Sequence, residues 1–381
     1  MGPSAGRNTT DPPKDTGPGK RPRWQVSTFM KIIRVRQIVL GVSVAVLSTS
    51  LLQAQPSTPA PAGSGPYRVA QTFHVGGEGG WDYLTVDPEH QLLYVPRSTH
   101  TMVLNAATGK TVADIPGQKR NHGVAIVPGA GRGFITDGED ASVTMFDLKT
   151  YAVLRKVKAA DDADGVIYDP ASGKVLVVCG DAGVMVPIPP DIDPANGKAD
   201  PAVDLGGKPE FLAADGQGKA YINLVDKDQV AVVDTKAMKV LAKWSTAPGG
   251  SPVGMSLDPV HHRLFVGCRK PQKLIIMSAE DGKVFGDLPI GGGVDATKFD
   301  GDVFASCGDG TLTVAHETTP GKFQVIQTLQ TPRGARTMGV DPTTHTIYLP
   351  TAELEPASQG QSRPRPKPDS FMIIVVTRSG A

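Results

Sequence analysis

Residues Val253–Gly291 read VGMSLDPVHHRLFVGCRKPQKLIIMSAEDGKVFGDLPIG, and most of the remaining chain consists of variants of this stretch. Its apolar segments are short and are separated by turn signals, a pattern that predicts four β-strands. The predicted strands are Val253–Leu257, Arg263–Gly267, Lys273–Ser278 and Lys283–Ile290. Asp258-Pro259 supplies the first turn between them. Since four short strands cannot bury both faces of their sheet, we expect this unit to stack on other copies.

The turn after the first strand recurs along the chain at a nearly constant period. Its seven copies are Asp87-Pro88, Val127-Pro128, Asp169-Pro170, Asp215-Gly216, Asp258-Pro259, Asp300-Gly301 and Asp341-Pro342. They lie 40, 42, 46, 43, 42 and 41 residues apart, the length of one four-stranded propeller blade. A lone strand, Tyr67–Val75, precedes the first copy, and the last copy ends with its third strand, Met372–Thr377. We therefore predict an all-β, seven-bladed β-propeller over residues 67–381, with its last blade closed by the N-terminal strand.

The first 66 residues lie outside the repeat and divide into three segments. Residues 1–29 are polar and rich in Pro and Gly, which indicates a disordered extension or a sequence upstream of a true start at Met30. Residues 30–54 have the basic start, apolar run and small final residue, Ala54, of a secretory signal peptide. The apolar run Ile38–Leu52 has 15 residues, whereas a membrane span needs about 20. Cleavage is therefore favoured over an uncleaved anchor, and residues 55–66 form a Pro/Ala/Ser linker.

Cleavage at this position changes the charge of the protein. Eight of the 39 basic residues and two of the 38 acidic residues precede it, so the mature chain has 31 basic and 36 acidic residues, a net charge of −5. Nucleic-acid binding requires a basic surface, so we predict no nucleic-acid partner. We expect a periplasmic or secreted protein with no stable membrane insertion after signal cleavage.

Several segments of the predicted second and third strands share a short motif. They are LYV at 93–95, YIN at 221–223, YL at 348–349, FDLKT at 146–150 and VDT at 233–235. These segments resemble the YVTN repeat of the exported, seven-bladed YncE-like propellers, and the resemblance covers nearly all of residues 67–377. No copy spells YVTN in full, and the third and sixth copies keep little beyond hydrophobicity. The resemblance implies the fold and export, while the functions within that family are mixed.

One register of the repeat predicts a charged ring at the mouth of the central channel, where the inner strands begin. The residues five positions before the turn anchors are Asp82, His122, Asp164, Glu210, Val253, Asp295 and Arg336, here called the mouth ring. Four converging carboxylates repel one another or recruit a cation. One interpretation is a divalent cation, Ca²⁺ or Mg²⁺, held by Asp82, Asp164, Glu210 and Asp295, with His122 as a catalytic acid or base. The other is a self-paired ring around water that fixes the blades.

A second register, in the loops after the second strands, contains all three cysteines. Its members are Arg97, Asp137, Cys179, Leu224, Cys268, Cys307 and Thr351. A thiol or soft-metal site, or a disulfide between Cys268 and Cys307, is one interpretation. The favoured one is that this turn requires a small, half-buried residue, since three cysteines in three blades make a poor disulfide framework.

Polar and aromatic side chains near the mouth are candidates for ligand binding. They are Trp81, Arg97, Arg120, Asn121, Asp137 and Arg336. The arginines suit an anionic ligand and Trp81 suits stacking on a sugar-like one. The insertion Glu353–Ser370, rich in Pro, Arg and Lys, is expected as a solvated loop over the same face, with a lid or docking segment as the alternative.

The sequence thus favours a binding or interaction scaffold that uses this face for a small molecule or a periplasmic protein. The alternative is a metal-assisted lyase or lactone hydrolase acting at the channel mouth, which rests on analogy of fold alone. No HExxH, CxxCH, GxSxG or paired CxxC motif occurs, which argues against zinc proteases, covalent haem attachment and serine hydrolases.

Overall fold

Seven four-stranded antiparallel sheets follow one another around a ring in the computed structural model, which describes residues 65–356 and 364–380. Blade 1 contains β2 (Thr85–Asp87), β3 (Leu92–Pro96), β4 (His100–Asn105) and β5 (Thr111–Pro116). Blade 2 contains β6 (Asn121–Val127), β7 (Arg132–Asp137), β8 (Ser142–Asp147) and β9 (Val153–Lys158). Blade 3 contains β10 (Ala163–Asp169), β11 (Lys174–Cys179), β12 (Val184–Ile188) and β13 (Val203–Asp204).

The remaining four blades repeat this order. Blade 4 contains β14 (Pro209–Ala214), β15 (Lys219–Leu224), β16 (Gln229–Asp234) and β17 (Lys239–Ser245). Blade 5 contains β18 (Pro252–Asp258), β19 (Arg263–Arg269), β20 (Gln272–Ser278) and β21 (Val284–Pro289), and blade 6 contains β22 (Val294–Asp300), β23 (Asp302–Cys307), β24 (Thr311–Thr319) and β25 (Lys322–Gln330). Blade 7 contains β26 (Gly339–Asp341), β27 (Thr346–Leu354), β28 (Pro366–Arg378) and the early strand β1 (Tyr67–His74). The predicted seven-bladed propeller is confirmed.

Aspartates at the repeat anchors close the turns after the inner strands. The Oδ1 atom of Asp258 accepts hydrogen bonds from the backbone N–H groups of Val260 and His261, at 3.0 and 3.2 Å. Two blades further along the chain, Asp341 accepts equivalent bonds from the backbone N–H groups of Thr343 and Thr344. Blade 2 has valine at its anchor and uses a 3-10 turn, Pro128–Ala130, instead. The repeat is visible in the sequence because this short-range turn chemistry recurs in most blades.

The hydrophobic core lies between neighbouring blades. Each large apolar cluster joins two adjacent sheets; for example, Phe134 of blade 2 and Val177 of blade 3 are fully buried in one cluster. The second and third strands of the blades are almost completely buried, whereas an outer strand such as β17 alternates between exposed and half-buried residues. Stability therefore depends on an unbroken series of blade contacts. Within the described ranges, no helix has the length and hydropathy needed to span a membrane.

The ring is closed by the first strand of the described chain. β1 pairs antiparallel with β28, from Tyr67 opposite Arg378 to His74 opposite Met372. Gln327 of blade 6 accepts a hydrogen bond from the backbone N–H of Tyr67 and donates one to its carbonyl, at 2.8 and 2.7 Å. The predicted closure by the N-terminal strand is confirmed.

The described part of the insertion in blade 7 is exposed, as predicted for a solvated extended loop, but its two ends continue the flanking strands. β27 continues to Leu354 and β28 starts at Pro366, and these two residues face each other across an extended hairpin. Lys367 pairs with Glu353 at 2.8 Å on the same hairpin. Proline lacks an N–H group for the backbone ladder but is tolerated at the edge of a sheet. The prolines at 366 and 368 therefore do not prevent strand formation here. Residues 357–363 and the three predicted N-terminal segments up to residue 64 lie outside the described residues.

Candidate functional site

The mouth ring lies on a recurring irregularity of the inner strands. In blades 2 to 6 the register of the first two strands shifts at the ring position, as between Asn121 and Val124 or between Ala163 and Val166. A β-bulge redirects the side chain that it contains, and bulges are common beside binding sites. The sequence thus places four of the six ionisable ring members, His122, Asp164, Glu210 and Asp295, at bulges that redirect side chains.

Side chains of the preceding blades hold the backbone of the ring. Thr136 donates to the carbonyl of Asp164 at 2.6 Å, and Asn223 donates to the carbonyl of Val253 at 2.8 Å. Asn223 ends the YIN segment of the second strand and is completely buried, so this polar position of the repeat connects one blade to the next. The blades approach each other closely here, because a Cβ added to Gly165 would lie 2.8 Å from the carbonyl oxygen of Glu210.

His122 joins two carboxylates of neighbouring blades. Its Nδ1 atom lies 2.7 Å from Oδ2 of Asp82 and 3.5 Å from Oδ1 of Asp164. Burial opposes protonation of the imidazole, but the hydrogen bond to Asp82 and the charges of Asp164 and Asp82 outweigh it and raise the pKa of His122 to about 9. At neutral pH the histidine is therefore a cation hydrogen-bonded to Asp82. Burial raises the pKa of Asp164 well above its ordinary value, and the charge of His122 opposes that rise.

Asp295 is neutralised by two arginines. It forms ion pairs with Arg336 of the next blade and with Arg269, which lies at the end of β19. Arg336 also donates to the carbonyl of Trp81 at 3.0 Å and lies 3.9 Å from Asp82. Burial raises the pKa of Asp295, and the charges of the two arginines oppose that rise. Arg269 belongs to this network, although it does not lie five residues before a turn anchor and is therefore not a member of the mouth ring.

Glu210 differs from the other ring carboxylates because no cation within the described ranges forms an ion pair with it. Burial and the nearby charge of Asp295 raise its pKa to about 7, against the weaker opposing charge of Arg269. The seventh ring member, Val253, is fully buried. Glu210 is therefore the ring carboxylate that has no direct ion pair within the described ranges, although the charge of Arg269 acts on it from further away.

The candidate ligand-binding residues fall into two groups. Arg336 lies in the mouth ring, and Arg120 is half exposed on the same face, where it pairs with Asp162. The other four are buried and bonded within the protein: Trp81, Arg97, Asn121 and Asp137.

Their contacts explain this burial. Arg97 lies over the ring of Phe371 and donates to the carbonyls of residues 76, 77, 79 and 80, so it fixes the loop after β1. Trp81 donates to the carbonyl of Gly334 at 3.2 Å, and Asp137 accepts from Thr144 at 2.6 Å. These side chains are held by bonds within the protein, and the ring of Trp81 lies beside the mouth ring, 5.9 Å from the guanidinium carbon of Arg336. Their part in ligand binding stays a prediction.

The three cysteines are free and fully buried at the ends of β11, β19 and β23. Burial raises the pKa of each thiol to about 12, which keeps the thiols protonated and unreactive. The cysteines thus pack as small hydrophobic residues, as the favoured interpretation expects, but they are fully buried and not half-buried.

Asp82, His122 and Asp164 are the one group among the described residues whose potential metal-ligand atoms all lie within 4.8 Å of one another. The predicted oxygen site differs from this group, because Asp295 faces arginines and Glu210 lies outside it. A nitrogen ligand with two oxygens suits a transition metal better than Ca²⁺ or Mg²⁺. Metal binding would also displace the proton of His122, so it competes with the ion pair.

Comparisons with known proteins agree with the fold. No family model and no curated protein matches the chain. Among solved structures, it is similar to a chain of hydrazine synthase from Kuenenia stuttgartiensis, with 14% sequence identity and a TM-score of 0.61. The match covers 72% of this chain and 94% of that chain. At this identity the similarity establishes the propeller fold and carries no information about the site.

Proposed function

We propose that the protein is a binding scaffold whose mouth ring accepts an ammonium or guanidinium group, carried by a small molecule or by a side chain of a partner protein. The carboxylate of Glu210, which has no direct ion pair within the described ranges, supports this proposal. Every other ionisable member of the ring has an opposite charge within 4 Å, namely Asp82, His122, Asp164, Asp295 and Arg336. A ligand cation would restore the charge balance at the mouth and would favour the ionised form of Glu210.

Export completes this proposal. The basic start, short apolar run and small residue in residues 30–54 support secretion, and the YVTN-like segments support a YncE-like protein. Mass spectrometry of the mature protein from the producing cells tests the first point. We expect Gln55 as the first residue; a chain that retains residues 30–54 would contradict secretion with cleavage.

Binding of organic cations tests the function of the mouth. We expect agmatine, spermidine or a lysine-rich peptide to bind in calorimetric titrations at pH 8, where Glu210 is ionised. Glu210→Gln should weaken binding about tenfold or more, since it removes a charge-assisted hydrogen bond. Glu139→Gln is the matched control, because Glu139 is exposed in a loop on the same face. The proposal fails if no cation binds or if both variants bind like the wild type.

The cluster of Asp82, His122 and Asp164 favours a second candidate, a metal-assisted lyase or lactone hydrolase. Elemental analysis of the purified protein, together with melting temperatures with and without EDTA, tests this candidate. A stoichiometric divalent ion that is lost in Asp164→Ala would support it. An EDTA-insensitive melting temperature and no bound metal would leave the cluster as an internal ion pair.

A further inference from the structure

A cavity lies in the channel below the mouth ring. It has a volume of about 340 Å³, and its walls are mostly apolar. The lining residues that matter here are Tyr83, Val124, Val166, Phe211, Lys298 and Met338, and we call this space the lower cavity. Its volume is at the lower end of the range for small-molecule pockets, about 300 to 1,000 Å³.

An aromatic pair separates the lower cavity from the mouth ring. Tyr83 and Phe211 each follow a ring member by one residue, and their ring centroids lie 4.8 Å apart. They belong to blades 1 and 4, which are not neighbours, so the two rings meet across the channel. The lower cavity is therefore a separate compartment with an aromatic ceiling.

Lys298 is the charged residue of this compartment. It lies on β22, two positions before the turn anchor. The equivalent residues of the other blades are uncharged: Thr85, Ala125, Ile167, Ala213, Ser256 and Gly339. Within the described ranges Lys298 has neither an ion pair nor a hydrogen bond, and its Nζ lies 5.4 Å from the centroid of the Phe211 ring. Burial lowers the pKa of Lys298, as expected of an ammonium surrounded by apolar walls.

Access to this compartment is from the face opposite the mouth ring. Ile167 and Tyr168 line both the lower cavity and a shallow depression that includes Pro170 and Pro259. These prolines belong to the turns at which the inner strands end. The lower cavity therefore adjoins the face opposite the mouth ring, and this is the side from which we expect a ligand to enter.

We propose that the lower cavity binds a small apolar carboxylate, with its charged group on Nζ of Lys298 and its hydrocarbon part against Val124, Val166 and Met338. Lys298 is half-buried, and a cation that faces apolar walls without a counter-ion is unfavourable, so an anionic ligand removes part of this cost. The mostly apolar walls disfavour a strongly hydrated anion such as phosphate, because a few hydroxyl groups cannot replace its full shell of water. An aromatic or short-chain aliphatic acid has the required charge, shape and hydrophobicity.

Calorimetric titration of the purified protein with 4-phenylbutyrate, and with 4-phenyl-1-butanol as its uncharged analogue, tests this proposal. We expect one site for the acid and a weaker affinity for the alcohol. Lys298→Met should weaken binding of the acid about tenfold or more and leave the alcohol unchanged. Lys298→Arg should retain most of the affinity for the acid. Lys239→Met, at an exposed lysine of β17, is the matched control and should bind like the wild type.

Folding of the variants is checked by their melting temperatures, and Lys298→Gln replaces Lys298→Met if the latter does not fold. Failure of both 4-phenylbutyrate and decanoate to bind the wild type would overturn the proposal. So would equal affinity of the acid for the wild type and the charge-removing variant. Glu210→Gln should not affect this site, so the result is independent of the function proposed for the mouth.

Discussion

The proton on His122 makes the stability of the protein depend on pH. Its pKa is about 9 in the folded protein, and about 6.5 in an unfolded chain. A group with a raised folded pKa stabilises fully below its unfolded pKa, and this contribution is lost as the pH rises through the folded value. We therefore expect the free energy of unfolding to fall by on the order of 3 kcal/mol between about pH 6.5 and pH 9. Urea unfolding at a series of pH values measures this change.

His122→Gln is the variant that isolates this effect, because it removes the titrating group and keeps a polar side chain. Its stability should vary less over the same pH range. The imidazole can also be titrated directly by NMR. A pKa near the ordinary value of about 6.5 would contradict the ion pair with Asp82 and Asp164.

We expect the half-buried carboxylate of Glu210 to lower the free energy of unfolding once it is ionised. The pKa of Glu210 is about 7 in the folded protein and about 4.5 in an unfolded chain. The free energy of unfolding therefore falls as the pH rises from about 4.5 through 7. Glu210→Gln should therefore stabilise the protein by on the order of 3 kcal/mol at pH 8 and change its stability little at pH 4. Glu139→Gln should have no effect at either pH. Equal stability of wild type and Glu210→Gln at pH 8 would mean that Glu210 has a cation partner.

Counting residues from the turn anchors predicted where the mouth ring lies, because the bulges occupy the same register in most blades. It did not predict the burial of Arg97 and Trp81. Their partners are Phe371 and Gly334, which are distant in sequence, and no local pattern reports such contacts. The unusual position of Lys298 can be recognised in the sequence, because the residues two positions before the other turn anchors are uncharged.

At the scale of the element, the aspartate turns should carry measurable stability. Asp169 is completely buried and accepts hydrogen bonds from the backbone N–H and the hydroxyl of Ser172, at 3.0 and 2.7 Å. Asp169→Ala should lower the free energy of unfolding by about 2 kcal/mol, because it leaves these donors without an acceptor. Asp193→Ala, in an exposed turn, is the comparison and should stay within about 0.5 kcal/mol of the wild type. Chemical denaturation measures both, and equal losses would show that burial is irrelevant at these turns.

The strands themselves were largely predictable from the sequence, since turn residues and apolar runs are local signals. β18 and β20 match the predicted strands to within one residue at each end. The extension of β27 and β28 was missed because its residues are polar and include two prolines. Backbone pairing across an exposed hairpin needs no apolar side chains, so hydrophobicity could not report it.

At the scale of the whole molecule, closure of the ring should depend on the side chain of Gln327. This amide is buried and bonds both backbone groups of Tyr67. Gln327→Ala should destabilise the protein by about 2 to 3 kcal/mol, because it leaves two backbone groups of Tyr67 unsatisfied. Gln324→Ala, an exposed position on the same strand, should be close to neutral. Hydrogen exchange should also show faster opening of β1 in Gln327→Ala, and unchanged protection of β1 would contradict its role in closure.

The pairing of β1 with β28 also orders events during synthesis. β1 is synthesised before the seven blades, whereas its partner β28 follows all the other strands. The nascent chain therefore carries a series of blades before β1 can pair. Until β28 has been synthesised, β1 has an unpaired edge, which is where wrong partners add to a sheet. We expect folding factors that protect this edge to matter most before β28 emerges and pairs with it.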